Sequence, residues 1–151
     1  MVPEMRVHVV NSDSRDHFMA CELRREVFFS HLGSDFDGVR DDREEESIHA
    51  VIRGDKGVCA CGRLTAIGPA GWVVTQMCVD ERWRGRGLGS RILTTLLAQA
   101  VKHGGGRIEL ASRLKAVGFY RRFGFIPAGE PYPSPRTGAM LLRMVLELSA
   151  N

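Results

Sequence analysis

Long apolar runs are missing from this chain, and cysteine is scarce in it. No stretch approaches the ~20 consecutive apolar residues of a membrane-spanning helix, and residues 1–6 lack the basic-then-apolar order of a secretory signal peptide. Hydrophobic residues make up 44% of the 151 positions and charged residues 26%, which excludes a disordered or collagen-like chain. We therefore expect a soluble, cytoplasmic protein with a substantial hydrophobic core.

The four cysteines are too few for a disulfide scaffold and do not have the spacing of a common metal motif. None of them forms a Cys-x-x-Cys pair, and a cytosolic setting disfavours disulfides. Cys59 and Cys61 lie two residues apart in a strand-like run, so we expect both side chains on one face of a sheet. We interpret all four cysteines as small buried residues, and we expect no metal site.

The net charge of +3 hides an uneven distribution of charge along the chain. Residues 35–46 carry seven acidic and two basic side chains, a local charge of −5, so the rest of the chain carries +8. Basic residues gather at positions 82–91 and again at positions 107–122. Such a field favours an anionic ligand, with a solvated basic surface as the alternative. The acidic stretch predicts either a solvated loop or a region that attracts a cationic partner.

The apolar periodicity predicts the element order β-α-βββ-α-β-α-β-β, a mixed α/β domain that spans residues 1–151. Turn sequences of hairpin length separate the second, third and fourth strands, so these should pair antiparallel. The fourth strand is apolar on both faces, which places it in the middle of the sheet. The predicted strands are residues 6–10, 48–53, 58–67, 72–79, 107–110, 125–127 and 140–148. The predicted helices are one that runs from an N-cap at residues 11–13 to residue 29, and two at residues 88–101 and 115–123.

A glycine-rich loop joins the predicted middle strand to the second helix. Its sequence from residue 84 to residue 90 is Arg-Gly-Arg-Gly-Leu-Gly-Ser. Glycine lets main-chain N–H groups approach a ligand closely, and the N-terminus of a helix stabilises phosphate oxygens. The loop is therefore suited to hold an anion, with a tight turn that binds nothing as the alternative.

Two common phosphate motifs fit this loop poorly. No lysine follows the glycines, as a Walker loop requires. The spacing Gly-x-Gly-x-Gly also differs from the Gly-x-Gly-x-x-Gly of dinucleotide-binding folds. Glu109 lies 20 residues after Gly89, where a ribose-binding acid would stand, so a dinucleotide site stays as a minor alternative.

Two motifs of this chain resemble the GNAT superfamily of acyl-CoA-dependent N-acyltransferases. Residues 84–89 fit the family pattern Arg/Gln-x-x-Gly-x-Gly/Ala. Residues 113–125 are similar to the pattern Asn-x-x-Ala-x-x-Phe-Tyr-x-x-x-Gly-Phe, with Arg113 in place of the asparagine. Residues 23–28 and His49 further resemble the ElaA-like branch, in which Glu-Gln usually stands at the positions of His31 and Leu32. The resemblance implies a single GNAT-like domain with a central mixed β-sheet flanked by helices.

The same resemblance implies acetyl-CoA as co-substrate, no metal, and a set of site residues. Main-chain groups of Met77, Cys78 and Val79 are expected to face the pantetheine and the thioester, with the Met77 N–H as the oxyanion donor. Tyr120 stands at the position of the general acid that protonates the departing thiolate, and its alternative role is that of a core aromatic beside Phe119. The residues expected to cradle the pyrophosphate are Arg84, Gly85, Arg86, Gly87, Leu88, Gly89 and Ser90.

A primary amine is mostly protonated at pH 7, so the reaction requires a base. We assign Glu26 and His49 as the candidate bases, and His31 and Glu81 are further candidates. The alternative for Glu26 is an ion pair with an arginine. The alternative for His49 is a strand residue that bonds a neighbouring backbone group.

The leading hypothesis is an N-acetyltransferase that transfers the acetyl group of acetyl-CoA to a primary amine by direct attack in a ternary complex. The departures at Arg113 and His31 leave open a non-catalytic acyl-CoA-binding or regulatory module. Nucleic-acid binding is a third hypothesis, which the lack of aromatic residues among the arginines disfavours. The expected partner is an amine-bearing small molecule or peptide, with a homodimer as an option and with neither nucleic acid nor membrane as a partner.

Overall fold

The computed structural model of this chain describes residues 5–32 and 38–150. Its strands are β1 (Val7–Val10), β2 (Ile48–Gly54), β3 (Gly57–Ala66), β4 (Gly71–Val79), β5 (Gly106–Arg113), β6 (Ile126–Pro127), β7 (Tyr132–Pro133) and β8 (Met140–Leu148). They form one β-sheet in the strand order β1-β2-β3-β4-β5-β8-β6, and β7 also pairs with β8. The β4–β5 pairing is parallel, and the other pairings in the described ranges are antiparallel.

The α-helices of the described part flank this sheet: α1 (Arg15–Phe28), α2 (Leu88–Lys102) and α3 (Val117–Arg121). The predicted mixed α/β fold with a central mixed sheet is confirmed, and β4 lies in the middle of the sheet as predicted. The short strand β7 is an addition, since no strand or helix is predicted between residues 127 and 140. No helix in the described ranges is long and apolar enough to cross a membrane.

The helix ends differ in detail from the predicted ones, for local reasons. Ser14, rather than residues 11–13, caps α1, because its hydroxyl accepts a hydrogen bond from the main-chain N–H of His17 at 3.1 Å. The predicted helix at residues 115–123 is divided, since Leu114–Ala116 forms a separate 3₁₀ turn before α3. Gly124, with a φ of 97°, follows as a helix terminator.

Separate hydrophobic clusters cover the two faces of the sheet. On one face, Ala20 and Leu23 of α1 pack with residues of β2, β3 and β4. On the other face, Ile92, Leu93 and Leu96 of α2 pack over the same strands and over β5 and β8. Burial of a leucine side chain contributes roughly 2 kcal/mol, so these two helices fix the sheet from both sides.

Cys59 and Cys61 point to opposite faces of the sheet, which corrects the prediction of a shared face. Residues 52 and 53 of β2 pair with residues 60 and 58 of β3, so Cys59 has no partner on β2. An extra residue of this kind is a β-bulge, and it shifts the alternation of side chains by one position. Cys59 therefore packs on the α2 side and Cys61 on the α1 side. All four cysteines are buried free thiols, as expected.

Candidate functional site

The parallel strands β4 and β5 pair only at their beginnings. Residues 71–73 pair with residues 107–109, whereas the two strands continue to Val79 and Arg113. Beyond the paired residues, the strands enclose a cleft of about 600 Å³. Main-chain N–H and C=O groups at the open edge of a strand are free to bind a ligand, so the cleft offers such groups along β4.

A bulge in β4 shapes one wall of this cleft. Residues 61 and 63 of β3 pair with residues 78 and 75 of β4, so Gln76 and Met77 together oppose Gly62. Gln76 has a φ of 59°, in the left-handed region that a non-glycine residue rarely adopts. Strained backbone of this kind is often found at ligand sites, where the surrounding structure holds it.

The cleft brings together one group of the sequence-predicted residues. Met77, Cys78 and Val79 line it from β4, and Tyr120 lines it from α3. The end of α1 contributes Phe28 to another side. Residues that the sequence places far apart thus surround one space beside the open edge of β4.

A second groove, of about 700 Å³, lies at the glycine loop. Gly85, Gly87 and Ser90 line it from the loop, and Phe123 is among the residues that line it from beyond α3. The groove shares with the cleft the lining residues Val79, Arg84, Gly89 and Phe119. The two cavities are therefore adjoining parts of one trough, which we call the β4 trough.

The glycine loop offers main-chain N–H groups to this trough. Gly85 and Gly87 have φ values of 79° and 76°, a conformation that favours glycine. Gly87 is the N-cap of α2 and has no side-chain cap. The Arg91 N–H is bonded within the helix, to the Gly87 carbonyl at 3.2 Å, so the N–H groups of residues 88–90 are left for a ligand. Together with the positive end of the helix dipole, they suit a phosphate group.

The side chains of this loop take different directions. The Arg84 Nε–H donates to the Val79 carbonyl at 3.4 Å, which holds the guanidinium at the end of β4. The Arg86 guanidinium lies over the Trp83 ring, 4.7 Å from its centroid, and Arg86 does not line the groove. The Leu88 side chain is buried in the core, so its main chain is the part available to a ligand.

Tyr120 combines the two roles that the sequence left open. Its ring packs in an aromatic cluster, 5.0 Å from the Phe119 centroid and 5.9 Å from that of Phe125. The same residue lines the cleft, and its hydroxyl makes no hydrogen bond to any residue that the structure describes. Burial raises the pKa of Tyr120 to about 12. At neutral pH the phenol therefore keeps its proton and is a hydrogen-bond donor without a protein partner in the described ranges.

The predicted bases Glu26 and His49 do not line the cleft. Glu26 lines a separate cavity of about 410 Å³, which α1 forms with the β2–β3 turn and with residues 80–83. His49 is 1% exposed, and its Nε2–H donates to the main-chain carbonyl of Glu44 at 2.7 Å. Burial lowers the pKa of His49 to about 4, so the ring is neutral at pH 7. Within residues 5–32 and 38–150, no carboxylate or imidazole lines the cleft.

Glu44 is the feature of the acidic segment that sequence reasoning missed. It is 3% exposed, and its Oε1 accepts hydrogen bonds from His17 Nε2 at 3.0 Å and Arg24 Nη1 at 2.9 Å. Its Oε2 accepts from Arg63 Nη1 and from the Asp41 main-chain N–H, each at 3.0 Å. Burial alone would raise the pKa of Glu44, but the hydrogen bonds from His17, Asp41 and Arg24 hold it well below its usual range.

The described part of the acidic segment is therefore built around a buried ion network rather than being only a solvated loop. Asp35 and Asp37, which belong to the predicted segment, lie outside the described residues. The arginines that neutralise Glu44 come from α1 and β3. The negative charge that the sequence places here is thus partly compensated within the fold.

His17, Glu44 and His49 are also close enough to one another to ligate a metal, because one ligand atom of each lies within 4.8 Å of the others. However, the four hydrogen bonds to the Glu44 carboxylate use the lone pairs that a cation would need. The guanidinium groups of Arg24 and Arg63 contact the same carboxylate, and their positive charges oppose a divalent cation. The arrangement favours an ion network over a metal centre.

Several proteins of known structure share this fold. Escherichia coli ElaA has a TM-score of 0.80 and 21% sequence identity, over 95% of this chain and 100% of that chain. An acyl-CoA N-acyltransferase from Pseudomonas aeruginosa has a TM-score of 0.78 and 19% identity, over 94% and 99%. A GNAT family acetyltransferase from Elizabethkingia anophelis, with acetyl-CoA bound, has a TM-score of 0.69 and 13% identity, over 97% and 100%. At these identities, the likeness is one of fold.

The sequence itself matches a family model more directly. No curated protein matches the chain. The model of the acetyltransferase (GNAT) family matches residues 14–125, a range that includes α1, the glycine loop and Tyr120 and that covers well over half of the chain. The chain therefore belongs to the acetyltransferase (GNAT) family.

Proposed function

We propose that this protein is an acetyl-CoA-dependent N-acetyltransferase, which transfers the acetyl group to a primary amine by direct attack in a ternary complex. The observation that carries this proposal is the β4 trough, which runs from the N-terminus of α2 into the cleft between β4 and β5. The end proposed to bind phosphate and the end proposed to bind the acyl group are thus adjacent. Membership of the acetyltransferase (GNAT) family supports the same assignment.

Acetyl-CoA would bind with its pyrophosphate at the glycine loop. The N–H groups of residues 88–90 and the guanidinium of Arg84 would bond the phosphate oxygens. The pantetheine would then follow the open edge of β4, where the main chain of Met77, Cys78 and Val79 would bond its amides. This placement brings the thioester to the side of the cleft that Tyr120 lines.

The reaction moves one proton from the amine to the leaving sulfur. The amine nitrogen attacks the thioester carbonyl carbon, the carbonyl oxygen becomes an oxyanion, and the C–S bond then breaks to give the amide and the CoA thiol. The Met77 N–H, at the β4 bulge, is the proposed donor to the oxyanion, a contribution of about 3 kcal/mol in comparable sites.

Tyr120 would donate a hydrogen bond to the departing sulfur. A phenol with a pKa of about 12 is a weaker acid than a thiol with a pKa of ~8.5, so complete proton transfer to a free thiolate costs about 5 kcal/mol. In the overall reaction, the proton that the CoA thiol gains is therefore balanced by the proton that the attacking nitrogen loses. The role of Tyr120 is to stabilise the sulfur by a hydrogen bond while negative charge develops on it.

The geometry gives no support to Glu26 or His49 as a base in direct contact with the acceptor. The described residues of the cleft include the cations Arg84, Arg113 and Lys115 and no carboxylate. Positive charge nearby lowers the pKa of an ammonium group, so these cations favour the neutral amine that the reaction needs. We infer that the amine releases its proton to water before or during the attack.

A non-catalytic acyl-CoA-binding module is the second candidate, and the lack of a base among the described cleft residues favours it. An acetyl-transfer screen separates the two. The protein is incubated with acetyl-CoA and a panel of amines that includes amino acids, polyamines, aminoglycosides and peptides, and mass spectrometry reads both the acetylated amine and free CoA. The proposal expects one class of amine to gain an acetyl group in step with CoA release. Binding of acetyl-CoA without transfer to any amine supports the second candidate instead.

A further inference from the structure

Two thiols face each other across the central strands, beside the cleft. Cys61 of β3 and Cys78 of β4 are directly paired in the antiparallel register, and their Sγ atoms lie 3.4 Å apart. Both side chains lie on the α1 face, in the cluster with Ala20 and Leu23. Cys78 also lines the cleft. The bulge at Cys59 is what gives Cys61 this orientation, because it reverses the alternation of side chains along β3.

We propose that Cys61 and Cys78 are a covalent modification site, which hydrogen peroxide or a related peroxide oxidises to a reversible disulfide that impairs the β4 trough. The functional part of this inference rests on the proposed function, but formation of the bond does not. In cytosolic proteins disulfides are usually transient and redox-sensing or catalytic. Both thiols are free in the structure, so neither the fold nor the proposed acetyl transfer depends on a disulfide between them.

The positions of the two residues suit this bond. Directly opposed residues of antiparallel strands have Cβ atoms about 4.5–5.5 Å apart, and a disulfide requires about 3.5–4.5 Å. The strands must therefore approach each other by roughly 1 Å at this pair. The register shift in the adjoining residues of β3 and β4 is the irregular point of the ladder, where such a movement disturbs the fewest regular hydrogen bonds.

The electrostatic surroundings favour one thiolate in the pair. The hydrogen bond with Cys78 and the nearby charge of Arg24 lower the pKa of Cys61, while the same hydrogen bond and burial raise the pKa of Cys78. A thiolate is the form that attacks a peroxide oxygen. It becomes a sulfenic acid as the O–O bond breaks and water leaves, and the second thiol then displaces another water to form the S–S bond. Two thiols and one peroxide thus give one disulfide and two waters.

Disulfide formation would act on the trough through β4. Cys78 adjoins Met77, the proposed oxyanion donor, and lies between it and Val79 on the strand that would hold the pantetheine. Drawing Cys78 toward β3 displaces this wall of the cleft. Because a misplacement of about 1 Å at a reacting group can cost about a hundredfold in rate, we expect acetyl transfer to fall at least fivefold on oxidation and to recover on reduction.

Peptide mapping after peroxide treatment tests the bond itself. Trypsin cuts after Lys56 and Arg63, so Cys59 and Cys61 share the peptide 57–63; the Cys59→Ser variant therefore assigns the link without ambiguity. The expected product in the wild type and in Cys59→Ser is a cross-link between peptides 57–63 and 64–82, which dithiothreitol removes. It should be missing from Cys61→Ser and from Cys78→Ser. A cross-link to Cys21, or sulfinic acid at either thiol without a cross-link, would overturn the proposal.

The effect on the trough is measured on the same samples. Acetyl-CoA affinity and acetyl transfer are followed before oxidation, after oxidation and after reduction, in the wild type, Cys59→Ser and Cys61→Ser. We expect a reversible loss in the first two and no response in Cys61→Ser. A complete cross-link that leaves both affinity and transfer unchanged would contradict the functional part. Because the cross-link is read by mass without any amine, a protein that proves to lack transferase activity still tests the bond.

Discussion

Val73 of β4 pairs with Glu109 of β5, and among the described residues it is the last one of β4 that pairs with β5. The next six residues of β4, through Val79, line the cleft. A strand in the middle of a sheet normally has neighbours on both edges. Here the edge toward β5 is left open for six of the nine residues of the strand, and the glycine loop follows after one short 3₁₀ turn, Glu81–Trp83. This relationship places a helix terminus that is suited to a phosphate group next to free main-chain groups.

Arg84→Gln is expected to weaken acetyl-CoA binding at least tenfold. The substitution removes a charged hydrogen-bond donor, a contribution of roughly 1.5–3 kcal/mol to a phosphate, at the junction of the cleft and the groove. Calorimetric titration with acetyl-CoA at two ionic strengths checks this. The matched control is Arg107→Gln, since Arg107 lies at the start of β5 and pairs with Glu147 at 3.5 Å. If both substitutions weakened acetyl-CoA binding equally, the effect would come from the general positive charge of the protein and not from a phosphate contact at Arg84.

Glu44→Gln is expected to destabilise the fold by about 3 kcal/mol or more. The neutral amide removes the carboxylate that pairs with the buried guanidinium of Arg24 and one of the two that pair with Arg63, which keeps only the more exposed Asp41. Breaking one side of a buried ion pair is costly. Denaturant unfolding measures the loss. Glu45→Gln removes the same charge from the neighbouring exposed position and should change the free energy of unfolding by no more than about 0.5 kcal/mol. If Glu44→Gln were equally mild, the network would not be a source of stability.

Acidification from pH 7 to pH 4 is expected to lower the stability through His49. The folded pKa of about 4 lies below the ordinary value of 6.5, so between these values the unfolded chain binds the proton and the folded chain does not. The free energy of unfolding therefore falls as the pH falls through this window, by a total of about 3 kcal/mol for this group. The groups around the ring are His17, with centroids 4.4 Å apart, and Arg24 and Glu44.

Unfolding by urea at a series of pH values measures this dependence. His49→Gln keeps a donor for the Glu44 carbonyl and should show a shallower slope than the wild type between pH 4 and pH 6.5. His31→Gln, at an exposed position, should keep the wild-type slope. Identical slopes in the wild type and in His49→Gln would show that the His49 ring does not cause the pH dependence of the free energy of unfolding.

The sequence predicts the elements that depend on local patterns. The apolar stripe of α2 runs from Leu88 to Ala100, and α2 therefore begins and ends within one residue of the prediction. The hairpins of β2, β3 and β4 follow from glycine-containing turns, and the place of β4 in the middle of the sheet follows from its two apolar faces. These features need only neighbours along the chain.

The features that the sequence does not reveal depend on contacts between distant residues. Glu44 is one of seven acidic residues in a polar segment, and nothing in the local sequence sets it apart. Its hydrogen-bond partners His17 and Arg24 lie 27 and 20 residues away along the chain. The orientation of Cys61 depends on one extra residue in β3, which the alternation of apolar residues does not signal. The family resemblance brings Met77, Val79 and Tyr120 into one site, but it could not place Glu26 and His49, which the structure holds outside the cleft.

Acetyl transfer by Tyr120→Phe, with Tyr132→Phe as the control, tests most directly that the cleft is where the acyl group is transferred. These are the two tyrosines of the chain, and Tyr132 lies on β7 and does not line the cleft. With the best amine from the screen, we expect Tyr120→Phe to lower kcat at least tenfold while the Kd for acetyl-CoA stays within twofold of the wild type, and Tyr132→Phe to keep both. Unchanged turnover in Tyr120→Phe would contradict the assignment.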